Sequence, residues 1–158
     1  MKFVDDLIET YGSCIESGLI KEKFVDIELI KSLKLVAENG IRFIDDKSKS
    51  ISKKSFDWTF VFRDYYESLR SLIEAFILFD GIKVDNHQCK NAYICFKHKE
   101  LDLNWNFLET IRLKRNAINY RGQFLSYDDW NSLKLNFKLH IDVLLEKIDE
   151  QLELSETS

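Results

Sequence analysis

The chain has 158 residues and a formal net charge of −4, with 45% hydrophobic residues. That length suits one domain able to bury roughly 70% of its unfolded surface, so this composition excludes a disordered chain. The acidic balance excludes a globally basic nucleic-acid coat protein. With no proline and five glycines, where average usage would supply about eight prolines, turn-rich sandwiches and barrels are excluded in favour of a few long helices.

The N-terminus, Met1-Lys2-Phe3-Val4-Asp5-Asp6, carries acid where a signal peptide carries an apolar run. A first helix is expected over Phe3 to Ser17, with Val4, Leu7, Ile8, Tyr11 and Ile15 on one face and Gly18 as its stop. A second is expected over Val25 to Asp45, along Ile30, Leu33, Ala37, Ile41 and Ile44. The Ser/Lys cluster from Asp45 to Ser55 reads as a flexible loop. The third helix, Phe56 to Phe79, has the widest apolar stripe: Trp58, Phe62, Tyr65, Leu69, Leu72, Ile73 and Phe76. Asp80-Gly81 ends it, and Asp85 or Asn86 caps a fourth helix over His87 to Lys97. Asp102 is the expected cap of a fifth helix running to Asn119, with Gly122 as the break after it. Ser126 and Asp129 form a capping box for the last helix, whose stripe is Trp130, Leu133, Phe137, Ile141, Leu144, Ile148 and Leu152. Residues 153–158 should fray. No segment alternates long enough for a strand. The expectation is all-α: a single domain over 1–158, an up-and-down bundle of five to six helices with no sheet.

Three cysteines, Cys14, Cys89 and Cys95, have no framework spacing and suggest a reducing compartment. No stretch approaches 18 uncharged apolar residues, so the expected setting is cytoplasmic, soluble and without a membrane. His87, Cys89, Cys95 and His98 invite a zinc reading. On one helix, at about 100° and 1.5 Å per residue, they cannot converge on a point within about 2.3 Å. No metal or cofactor is expected.

Thr110 to Leu125 carries Arg112, Lys114, Arg115 and Arg121 with no acid. Arg112, Asn116 and Asn119 share a helical face, and Arg115 flanks it. Guanidinium groups bind phosphate bidentately, and amides read base edges or sugar hydroxyls. A solvated face, or cations complementing a helix C-terminus, would explain the charge equally well. Glu74, close to the third helix's apolar stripe, wants a cation. Arg112, Arg115 and Arg70 are its alternatives. His87 and His140 read as structural, the first hydrogen-bonded to a backbone group and the second at the core edge.

Tyr66-Glu67-Ser68-Leu69-Arg70, Asn86-His87 and Arg115-Asn116-Ala117-Ile118-Asn119-Tyr120-Arg121-Gly122 stand in an order and spacing that resemble the HEPN superfamily, in its archaeal-type branch. The likeness covers about Asp57 to Leu152. It implies a helical bundle that forms a homodimer. It also implies a metal-independent endoribonuclease, often a toxin paired with a nucleotidyltransferase-type antitoxin. That family's signature is an arginine followed, four to six residues on, by a histidine. Here Tyr120 or Asn119 occupies that place. The resemblance assigns catalysis to Arg112, Arg115, Asn116, Asn119 and Tyr120, and binding of RNA or nucleotide to Lys114, Arg121, Glu74 and His87. Tyrosine, with a reference pKa near 10, is a poor base at neutral pH. The alternative is therefore a non-catalytic nucleotide-binding, RNA-binding or interaction scaffold.

Overall fold

The computed structural model describes residues 3–157, without the side chains of residues 3–5; Val4 of the expected first apolar face and Ser158 of the expected frayed tail lie outside the described residues. Six α-helices follow in order: α1 Phe3–Glu16, α2 Ile27–Ser48, α3 Trp58–Leu78, α4 His87–Lys97, α5 Trp105–Arg121 and α6 Tyr127–Thr157. Local chemistry sets most of the boundaries. Asp26 Oδ1 accepts from Leu29 N at 3.0 Å and opens α2. Asn86 Oδ1 accepts from Cys89 N at 2.7 Å and opens α4. The Ser126–Asp129 capping box closes in both directions, at 3.0 and 3.1 Å. Gly122, at φ 62°, ends α5 in the left-handed region that only glycine adopts cheaply.

The structure departs from expectation at three helix boundaries and in a small sheet. Asp102 does not cap α5. It takes φ 53° at the end of a single 3₁₀ turn, Lys99–Leu101, and Asn104 caps instead, accepting from Phe107 N at 2.9 Å. α2 continues to Ser48, so the first residues of the expected loop are helical. The connection after it is tied by Trp58 Nε1 donating to Ser52 O at 2.9 Å. The tail to Thr157 is helical, because Leu152 is buried and Lys31 pairs with Glu156 at 3.6 Å. Finally, a sheet is present: β1 (Ile20–Glu22) pairs antiparallel with β2 (Ile82–Val84), Ile20 opposite Val84. Three-residue strands are too short to show an alternation.

α3 is the axis of the bundle. It packs against α2, α4, α5 and α6, with α1 docked on α4. Its core layer joins Phe62 and Tyr65 to Phe137 and Trp130 of α6 through edge-on and tilted ring contacts. Thr59 Oγ1 accepts from Leu125 N at 2.7 Å and donates to Leu125 O at 3.3 Å, pinning the α5–α6 turn to the start of α3.

β1 precedes α2 and β2 follows α3, so the sheet clasps the α2–α3 hairpin at its open end. Lys21–Asp85 at 2.7 Å reinforces it. Just outside, Cys14 of α1 and Cys89 of α4 form a disulfide, while Cys95 is free and buried. The expectation that the cysteines stay unpaired is thereby overturned, and the reducing-compartment argument loses its basis. Spacing in the chain gave no sign of this pair, because it depends on α1 docking against α4. No helix among the described residues is long and apolar enough to cross a membrane.

Candidate functional site

The chemistry-bearing residues converge where α3, α4 and α5 meet. α3 brings Tyr66, Arg70 and Glu74, spaced by one helical turn, with Glu67 beside Tyr66. The first turn of α4 brings His87, Lys90 and Asn91. α5 brings Glu109, Arg112 and Arg115. Glu109 organises one side. It accepts from Arg112 Nε at 2.9 Å and from Arg112 Nη2 at 2.8 Å. It also accepts from Gln88 Nε2 at 2.9 Å and Asn91 Nδ2 at 3.1 Å. This set holds Arg112's proton more tightly than usual, chiefly through the Glu109 hydrogen bonds.

Glu67 is shared by Arg70 at 2.7 Å and Arg115 at 3.5 Å. Arg115 lies over the Tyr66 ring, 5.8 Å from its centroid. Glu74 pairs with Lys90 at 3.7 Å, not with Arg112, Arg115 or Arg70. The expected pairing fails because α4 brings Lys90 to Glu74, while Arg112 and Arg115 are held by Glu109 and Glu67. Arg70, Lys90, Arg112 and Arg115 thus face Glu67, Glu74 and Glu109, one cation more than carboxylates.

Among the described residues, two buried side-chain atoms have no hydrogen-bond partner: His87 Nδ1 and Arg115 Nε. The expected bond from His87 to the backbone is therefore not made at Nδ1. Burial, then the nearby cations Arg70, Lys90 and Arg115, push the His87 pKa down to about 4. At neutral pH the ring is uncharged. Tyr66, Arg70, His87, Lys90 and Asn91 line a narrow slot between the helices, no larger than about one water molecule.

The predicted basic stripe is divided by this packing. Arg112 and Arg115 turn inward, their side chains 17% and 18% exposed. Asn116 and Lys114 are half-buried at the margin, and Asn119, Tyr120 and Arg121 face solvent. Tyr120, 78% exposed, faces solvent while the arginines turn inward. Helical spacing treats a face as a line, but Glu109 draws Arg112 back one turn toward α4. Lys90, Asn91 and Glu67 were not legible as site residues, since their convergence depends on which helices pack together. Arg70 could be found, one turn from Glu67.

His140 is satisfied as expected: Nδ1 donates to Asn136 O at 2.7 Å and Nε2 accepts from Asn104 N at 3.0 Å. No family model matches this chain, and neither a curated protein nor a solved structure does.

Proposed function

We propose that this chain is a HEPN-type RNA-binding protein that cleaves RNA without a metal, as a homodimer, with Arg70 and Arg115 holding a phosphodiester and His87 handling a proton. The observation that carries the reading is the pair of buried, unpartnered atoms, His87 Nδ1 and Arg115 Nε, inside a cluster with one excess cation. A buried polar atom without a partner costs about 1–3 kcal/mol. Once the slot between α3, α4 and α5 opens beyond its present single-water size, an RNA strand would offer both missing partners: a phosphate oxygen for the guanidinium N–H and a hydroxyl for the imidazole nitrogen.

The chemistry follows from those atoms. Neutral His87 takes the proton of a 2′-hydroxyl. The oxygen attacks the adjacent phosphorus, the bond to the 5′ oxygen breaks, and the proton passes to that leaving oxygen. The products are a 2′,3′-cyclic phosphate and a 5′-hydroxyl. Arg70 and Arg115 offset charge on the pentacovalent transition state. Glu67 and Glu109 orient the guanidinium groups. In this reading His87, delivered by α4, takes the role that the missing motif histidine would fill on α5. Asn116, Asn119, Lys114, Arg121 and Tyr120 serve binding at the margin.

Purified protein incubated with total RNA in EDTA tests this. Cleavage that is lost in Arg115→Ala and in His87→Gln is the expected result. RNA bound but not cut would support the second reading, a binding scaffold, which the narrow slot and the pairing of all four cations with carboxylates favour. A toxin role would further predict a small nucleotidyltransferase gene beside this one, encoding the antitoxin.

A further inference from the structure

α3 is buried on every side except one stripe, which runs from Phe60 through Arg63, Asp64, Glu67, Arg70 and Ser71 to Glu74. Its far half is the cluster described above. Its near half ends in exposed aromatic rings. Phe60 and Phe43 border one open cleft with Lys47, and Phe56 stacks obliquely on Phe124 with centroids 5.8 Å apart. All four rings are exposed. Two carry cations: the Arg63 guanidinium lies 5.0 Å from the Phe60 centroid, and Lys47 Nζ 5.9 Å from Phe43.

We infer that this ribbon is a stacking track for unpaired RNA, leading to the Arg70–Arg115–His87 cluster. The inference rests on the RNA reading above and names its substrate class as single-stranded. Exposed rings interleaved with cations are how sequence-tolerant single-strand binding is built, since every base offers a face to stack. Phe60 and Arg70 are ten residues apart on one helix, about 15 Å. At roughly 3.4 Å per stacked nucleotide, that separation spans a few nucleotides. Asp57 and Asp64 border the same cleft, so charge alone would not hold a strand here. Stacking must do so. A duplex buries its base faces and gains nothing from the rings.

The test compares a labelled single-stranded oligonucleotide, such as a twelve-residue oligo-A, with the same sequence in a duplex. Binding is measured with wild type, Phe60→Ala, Phe124→Ala and Phe60→Trp, while sedimentation reports the oligomeric state. The expected result is single-strand binding weakened about 5- to 100-fold by each alanine. The salt dependence should stay unchanged, because the lost contact is uncharged, and Phe60→Trp should restore affinity. Unchanged affinity in both alanine variants, with binding lost in Arg115→Ala, would overturn the track while leaving the RNA reading intact. A dimer that falls to monomer in the alanine variants at unchanged affinity per chain would assign the rings to a second copy, and also overturn it. Wild type that binds no RNA would remove both.

Discussion

His87 and His98 begin helix α4 and follow its last turn, and their surroundings drive them in opposite directions. Burial and three cations depress His87 to about 4. A bound phosphodiester would offset those cations and raise it. If His87 is the base, kcat/KM, which reports the free enzyme, should fall in acid with a limb near pH 4, and the limb of kcat should lie higher. His87→Gln should remove both limbs where activity survives. His98 is raised, first by its hydrogen bond to Asp80 at 2.5 Å and then by Glu100 at 2.9 Å. Asp80 is correspondingly lowered by its hydrogen bonds from His98 and Tyr93, which outweigh its burial. The stabilisation from this pair is complete below the unfolded histidine value of about 6.5 and is lost as pH rises through the raised folded value. It is lost again in strong acid, as pH falls through Asp80's lowered value. The stability difference between wild type and His98→Gln, from urea denaturation, should therefore peak in mildly acidic solution and shrink toward alkaline pH. A difference that grew above pH 8 would contradict the pairing.

At the scale of elements, what could be read from the chain was what is decided within about four residues. The caps at Asn86 and Ser126 and the stop at Gly122 stand where expected, because each is a bond between near neighbours. The core stripes of α3 and α6 are likewise buried as expected, from Leu69 and Leu72 to Phe137 and Ile148, whereas Ile8 and Ile15 of the expected α1 face are exposed. Contacts between distant segments were not legible. Glu74 chose Lys90, and Cys14 found Cys89 at a sequence separation of 75. Such choices depend on packing that no local pattern encodes. The cysteines give a direct check. Burial raises Cys95 to about 12, so the native protein should show essentially no reactive thiol, one after denaturation, and three after denaturation with reductant. Reducing the bridge should also lower the unfolding free energy by roughly 2–4 kcal/mol, since a long loop in the unfolded chain is released. A native protein with three reactive thiols would remove the α1–α4 bridge.

For the whole molecule, the excess cation between α3, α4 and α5 couples folding to anions. A ligand that binds only the folded state stabilises it by about 2.7 kcal/mol at one hundred times its Kd. Inorganic phosphate should therefore raise the Tm of wild type, and Arg115→Ala should lose most of that gain. The proposed homodimer would bring two such clusters together and concentrate like charge, so phosphate should also tighten self-association in sedimentation. A monomer unmoved by phosphate would weaken the composite site and the nuclease reading with it.

The α2–α3 hairpin lies inside two closures, the β1–β2 pairing and, outside it, the Cys14–Cys89 bridge. The exposed Lys53-Lys54 pair sits at the far end of that enclosed segment. A protease that nicks the chain there would produce two fragments that do not part. They would run as one species on a non-reducing gel and as two on a reducing one. The molecule is wired so that this connection can be severed without releasing either half.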